Sequence, residues 1–393
     1  MRRCGVLQTF RKYQFLTFVI LTLLLSSCQP TSKESKTSGS GIFKADPALD
    51  LIVPASATIE KLAGELGFTE GPIWAFDTQF NDMAQQILVR KFGEKEKKVS
   101  RKVYQEALQE ARDSHKGYLL FSDIPANSIF KWTPETGISL HRKQSGYDGG
   151  ERFRSMTPGG NLWGSNGLTL DSEGRLIICE HGNRRVTRLE EDGNVTVLAD
   201  KYEGKRLNSP NDAVYKSDGS LYFTDPPYGF AKQDEDPNKE LKFNGVYRLA
   251  GEKLQLLYSE MTRPNGLAFS PNEKYLYVAN SDPEKKLWMR FKVQEDGTIA
   301  EGTTFYDVTQ ETEDGLPDGM KVDQEGNLYC TGPGGVWIFS PDGKHLGTIK
   351  PPEPPANCHW GDEDGKTLYM TARTGLYRIR LNIAGIRPSL NDK

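Results

Sequence analysis

Six segments of this sequence carry a polar residue in nearly the same setting. They are Glu70 in TEGPIW (69–74), Asn166 in SNGLTL (165–170), Asn211 in PNDAVY (210–215), Asn265 in PNGLAF (264–269), Asp318 in PDGMKV (317–322) and Asn357 in ANCHWG (356–361). Two are carboxylates, four are amides and none is a base. Brought to one centre, such a set offers hard oxygen donors, which suit Ca2+ or Mg2+ better than Zn2+, whose preference is for His and Cys. Without a cation, Glu70 and Asp318 would repel each other at close range. Taken singly, an Asn or Asp in P-N-G or P-D-G is ordinary turn chemistry. The recurrence is what points to a ligand set.

The recurrence also names the elements that must position these residues. Ten or eleven residues after each comes a strand signature, except in the first copy, where the distance is 49. The signatures are GYLLFSD, GRLIICE, GSLYFTD, KYLYVAN, GNLYCTG and KTLYMTA, with leucines at 119, 176, 221, 276, 328 and 368. A third segment of alternating apolar and polar residues follows each pair, as in SIFKWT (128–133) and GVYRLA (245–250), the pattern of a half-buried strand. Repeats of 40–57 residues with several short strands are predicted to be propeller blades. The expected fold is all-β, a six-bladed β-propeller over residues 55–385. The last copy lacks a fourth strand, and ATIEKLAGE (57–65) resembles strands that end earlier copies, so the N-terminal strand is expected to close the last blade. A helical insertion is expected at about 77–115, on the face opposite Glu70, with Val99, Val103, Tyr104 and Leu108 on one helical face.

In this geometry the six residues start the innermost strands and converge on the axis. Four residues after the repeat leucines come Asp123, Glu180, Asp225 and Asn280, expected at the rim of the channel mouth. His181, Arg184, Asp225 and Tyr228 are therefore candidate substrate contacts, with Asn166 and Asn357 on the axis. His359, two residues after Asn357, is expected to pack in the core or the channel. No G-x-S-x-G turn and no Gly-rich loop followed by Lys-Ser/Thr is present, which removes the serine-hydrolase and P-loop readings.

The chain has 393 residues, 26% charged and 36% hydrophobic, an ordinary globular composition. Residues 1–27 carry Arg2, Arg3, Arg11 and Lys12 and no acid; removing them takes the net charge from −3 to −7. An acidic body without a basic stripe argues against nucleic acid as a partner. Phe15 to Leu25 is an apolar run too short for a bilayer span, and Leu25-Ser26-Ser27-Cys28 resembles a bacterial lipoprotein signal. Residues 1–27 are thus expected to be a signal peptide, Cys28 a lipidation site, 28–54 a flexible tether and 386–393 a C-terminal tail. The expected location is the bacterial cell envelope, with the membrane engaged through the lipid anchor alone. Cys179, Cys330 and Cys358 have no metal-site spacing and are expected to be buried thiols.

GFTEGPIW, NSPNDAVYKSDGSLYFTDPPYG, RPNGLAFSPNEKYLYVANSD and LPDGMKVDQEGNLYCTGPGGVWIFSPDG resemble the gluconolactonase family, grouped with senescence marker protein 30 and luciferin-regenerating enzyme. The resemblance spans roughly 55–380 without the insertion. It implies a six-bladed propeller with one catalytic divalent metal in the channel, usually Ca2+, with Mg2+, Mn2+ or Zn2+ as alternatives. It implies ligands at Glu70, Asn265 and Asp318, with Asn211 as a further ligand or substrate contact, and Asp318 as general base. The reaction implied is hydrolysis of a sugar lactone to the aldonate. Another metal-dependent ester or organophosphate hydrolase on the same site, or a non-enzymatic binding propeller, are the alternatives. The insertion and the Cys358-His359-Trp360 run are departures from the family pattern.

Overall fold

A computed structural model describes residues 41–76, 87–91, 99–100, 102–104, 106–107, 117–149 and 162–388. The signal segment and Cys28 lie outside the described residues. Each of the first five repeats folds as a four-stranded antiparallel meander and the sixth contributes three strands, and these are the six expected blades. The innermost strands are Thr69–Ala75, Ser165–Leu170, Ala213–Tyr215, Pro264–Phe269, Met320–Val322 and Asn357–Gly361. Each touches the next in cyclic order, and the last returns to the first.

Closure comes from both ends of the chain, as expected. Glu60–Ala63 pairs antiparallel with Gly375–Arg380, so the N-terminal strand becomes the outer strand of blade 6. The segment just before it departs from expectation. Residues 41–54 were expected within the tether, yet Ile42–Lys44 pairs with His345–Ile349 as a fifth strand of blade 5. The short helix Leu49–Ile52 follows, with Leu49, Ile52 and Val53 buried in a cluster with Trp360, Leu368 and Tyr377. The apolar side chains that the composition of 28–40 lacks are present in this stretch, and their burial fixes it.

Between blades the core is aromatic and aliphatic. Tyr222, Phe269 and Phe291 fill one seam and Trp288, Trp337 and Phe339 another. Residues 87–91, 102–104 and 106–107 of the insertion are helical, with Ile87, Leu88, Tyr104 and Ala107 packed together. Leu108 lies outside the described residues. The three cysteines of the propeller are buried and free.

Candidate active site at one end of the channel

The innermost strands do not run straight into the axis. In blades 1, 2 and 4 the pairing slips just after the axial residue, between Glu70 and Ile73, Ser165 and Leu168, and Pro264 and Leu267. Such a bulge re-aims one side chain out of the sheet alternation. The glycine that follows the axial residue makes convergence possible. A Cβ on Gly71 would lie 2.1 Å from the Asn166 carbonyl oxygen, and one on Gly319 would lie 2.0 Å from the Asn357 carboxamide carbon. Blade-to-blade hydrogen bonds use the same positions: the Gly167 N–H donates to the Asn211 carbonyl at 2.7 Å and the Gly319 N–H to the Ala356 carbonyl at 2.8 Å.

All the described axial side chains named above lie at this end of the channel, and Glu70, Asn166, Asn211, Asn265 and Asn357 are each under 5% exposed. Glu70 Oε2 accepts from the Gly71 N–H at 2.7 Å and from Asn357 Nδ2 at 3.1 Å. The Asn265 side chain and the Gly319 backbone lie beside the Asp318 carboxylate and favour its charged form. The Asn265 amide also donates to Ser281 Oγ at 2.8 Å, and Ser281 Oγ donates to the Pro317 carbonyl. The Tyr228 hydroxyl lies within reach of Asn265 and Ser281.

The repeat alignment overlooked a third acid. Where four copies have glycine after the axial residue, the third has Asp212 and the sixth Cys358. Asp212 is buried, and Asn357 Nδ2 donates to its Oδ2 at 3.4 Å as well as to Glu70. That break in the glycine pattern was the available signal. Burial raises the carboxyls of all three acids. Glu70 is pushed up to about 7, with Asp212 adding to the effect, and Asp318 is raised further by Glu70 and Asp212. Adjacent buried acids of this kind hold a proton unless a cation joins them.

The donor set fits a hard divalent ion. Its groups are carboxylates and amide oxygens, the acids destabilise one another, and Asn166 Oδ1 is buried without a hydrogen-bond partner among the described residues. Asn166 Nδ2 meets His181 Nε2 at 3.3 Å, while His181 Nδ1 faces the Leu162 carbonyl at 3.2 Å. The carbonyl requires a proton on Nδ1, so Nε2 accepts and the Asn166 oxygen is the end left over. Burial lowers His181 to about 4, which keeps it neutral in this role. Among the described residues no three His, Cys, Asp or Glu side chains lie close enough to share one metal ion. The amides must therefore complete any coordination shell, and Asp212 stands behind it.

Several expected substrate contacts are structural instead. The Arg184 guanidinium donates to the carbonyls of Leu207 (2.6 Å), Asn238 (3.1 Å) and Arg206 (3.3 Å), which leaves it clamping loops. Asp225 Oδ2 accepts from the Asn208 N–H at 2.8 Å. Asp123 accepts likewise from Gly67 (2.8 Å), and Asn280 from Arg263 (2.8 Å). The expected rim acids and amide are thus latches that hold the backbone two or three residues ahead of Glu70, Asn211 and Asn265. Glu180 is engaged by Asn183, Arg185 and Thr187. Asn357 is also engaged at both ends, since its Oδ1 accepts from the Cys358 N–H at 2.9 Å; it bridges acids and is not open to substrate. Of the expected contacts, Asn166, His181 and Tyr228 stand at the axial group.

A cavity of about 510 Å3 opens beside Asp318, lined by Phe68, the 312–316 loop, Pro354, Pro355 and Arg373. Arg373 and that loop carried no repeat signal in the sequence. A second cavity of about 560 Å3 lies at the channel's other end, with Lys321 and His359 in its lining. Its Asp171 pairs with Arg175, and its Asp218 and Glu273 pair with Lys216. It holds none of the six axial residues, whereas the lining of the first includes Asp318.

Residues 110–374 match the family described as SMP-30/Gluconolactonase/LRE-like region. A gluconolactonase from Zymomonas mobilis is 36% identical over 88% of this chain and 87% of its own. The solved structure of a gluconolactonase from Xanthomonas campestris superposes with a TM-score of 0.64 at 28% identity, covering 86% of this chain and 94% of that one. A diisopropyl-fluorophosphatase from Loligo vulgaris is 28% identical over 52% of this chain and 67% of its own.

Proposed function

We infer, from the premise that this chain belongs to the SMP-30/gluconolactonase/LRE-like family and is a lactone-hydrolysing enzyme, that it opens a sugar lactone to the aldonate with a divalent ion, Ca2+ by preference, held by Glu70, Asn211, Asn265 and Asp318. The observation that carries this reading is the convergence of two carboxylates and their amide partners at one channel end, with Asp318 facing a cavity of small-molecule size. When bound, the ion supplies positive charge that polarises the lactone carbonyl and offsets the developing oxyanion.

The chain's own residues do the rest. Asp318 accepts the proton of the attacking water as its oxygen bonds to the carbonyl carbon. The ring C–O bond then breaks, and the leaving alkoxide takes that proton back, so water is consumed and a hydroxy acid is formed. Burial and the neighbouring acids raise Asp318 in the metal-free site, and the ion that joins the acids would keep it ionised and ready to accept a proton. The Asn265 side chain lies beside its carboxylate, and the Tyr228 hydroxyl, within reach of Asn265 and Ser281, is placed to guide a substrate hydroxyl. Asn166 presents a carbonyl oxygen for the same use.

Glucono-1,5-lactone hydrolysis by purified protein tests the reading. Chelator is expected to abolish activity and Ca2+ to restore it. Asp318→Asn is expected to lower turnover by about 10²–10⁴-fold while the protein stays folded. Full activity in either case defeats the mechanism. A second reading, organophosphate hydrolysis on the same site, draws on the similarity to the squid fluorophosphatase; a panel of lactones against a fluorophosphate separates the two. We further propose envelope anchoring through Cys28, which Cys28→Ser tests by releasing the protein from membranes.

A further inference from the structure

Asp212 poses a charge problem. Glu70, Asp212 and Asp318 bring three negative charges to one buried end of the channel, and each acts on another. A divalent ion supplies two positive charges. The remaining one must come from the protein or from a retained proton.

Lys321 lines the channel beside Ala213, which follows Asp212, and His359, two residues after Asn357, and its charge acts on both Glu70 and Asp212. Other buried bases are directed elsewhere: Arg184 and Lys239 act on Asp225, and Arg263 on Tyr228. Lys321 sits in the innermost strand of blade 5, three residues after Asp318. Its neighbours Met320 and Val322 are buried in the seam with Trp288 and Phe339. Strand alternation therefore turns Lys321 to the other side, into the channel, where it lines the far cavity beside His359. Its Nζ donates to the Met320 carbonyl at 3.0 Å, and among the described residues it forms no ion pair with any single carboxylate. A half-buried ammonium in this position has the axial acids as its shared counter-charge.

We propose that Lys321 is a fixed counter-charge for the site: a positioning residue that approaches the acids from the far side of the channel and balances Asp212, so that three carboxylates are met by one divalent ion and one ammonium. Asp212 and Glu70 both accept from the Asn357 amide, which ties the acid that Lys321 faces to one that would hold the ion. The proposal rests on the divalent-ion reading above and adds to it the element that sets how tightly the ion is held.

Calorimetric titration of EDTA-stripped protein with Ca2+ at pH 8 tests it. Lys321→Met is expected to bind Ca2+ about tenfold more tightly than the parent, because a repelling charge is gone. Asp212→Asn is expected to bind about tenfold more weakly. The double variant is expected within about threefold of the parent, and Lys321→Arg close to it. If Lys321 only props the strand, Lys321→Met weakens Ca2+ binding or leaves it unchanged, and the double variant is no stronger than Asp212→Asn; either result overturns the proposal. Lys321→Gln gives the same comparison where the methionine variant does not fold. Absence of Ca2+ binding by the parent protein would instead remove the divalent-ion reading itself.

Discussion

With one amide end committed to His181, Asn166 can offer the channel only an oxygen. The same economy runs through the site, where each polar atom is either fixed by the protein or left facing the axis. The acids give it a pH signature. Glu70 has a folded-state value of about 7 against a usual value of 4.5, so the metal-free folded protein binds more protons than the unfolded chain between those limits. Stability of the metal-free protein must then fall as pH rises through that window, by on the order of 3 kcal/mol from Glu70. Melting in EDTA from pH 5 to 8 should show the decline, and saturating Ca2+ should flatten or reverse it. A flat profile in EDTA would show that the acids are not crowded. At this scale the sequence was partly legible. Recurrence exposed one residue per repeat, but Asp212 broke the glycine pattern, and Lys321 lies on a strand whose facing side only the assembled channel reveals.

At the scale of the strand, the positions that looked like a substrate rim are braces. Asp123→Ala removes acceptors for the Gly67 and Ala126 N–H groups. It is expected to cost about 1–3 kcal/mol in urea unfolding and to weaken Ca2+ binding, because the chain leading to Glu70 loses its anchor. Arg184→Met is expected to destabilise by a similar amount with little change in KM for the lactone. A large rise in KM without loss of stability would return Arg184 to the substrate. The meanders themselves were readable from alternation and Gly turns, since those patterns reflect burial on one face. The bulges were not, because a register slip depends on what the neighbouring strand does. The ordered stretch 41–54 escaped for a related reason: its few apolar residues acquire meaning only against blades 5 and 6, far away in sequence.

At the scale of the whole molecule, the ring is held by a pairing between its two ends. A chain starting at residue 41 is expected to melt like the full-length protein. A chain starting at residue 65 loses the Glu60–Ala63 strand and the buried side chains of Leu49, Ile52 and Val53, each worth about 1.5–3 kcal/mol. It is expected to lose its sharp thermal transition by circular dichroism. Retention of cooperative melting by the shorter chain would mean that blade 6 stands without its outer strand.

Pairing the first strand of the ring with the last has a chemical corollary. Glu70 follows that early strand, whereas Asn357, which bridges Glu70 and Asp212, belongs to the final blade. The acids are therefore arrayed only when synthesis has run nearly to its end. A polypeptide that ends before Asn357 is expected to hydrolyse no lactone, because the blade that bridges Glu70 and Asp212 is missing.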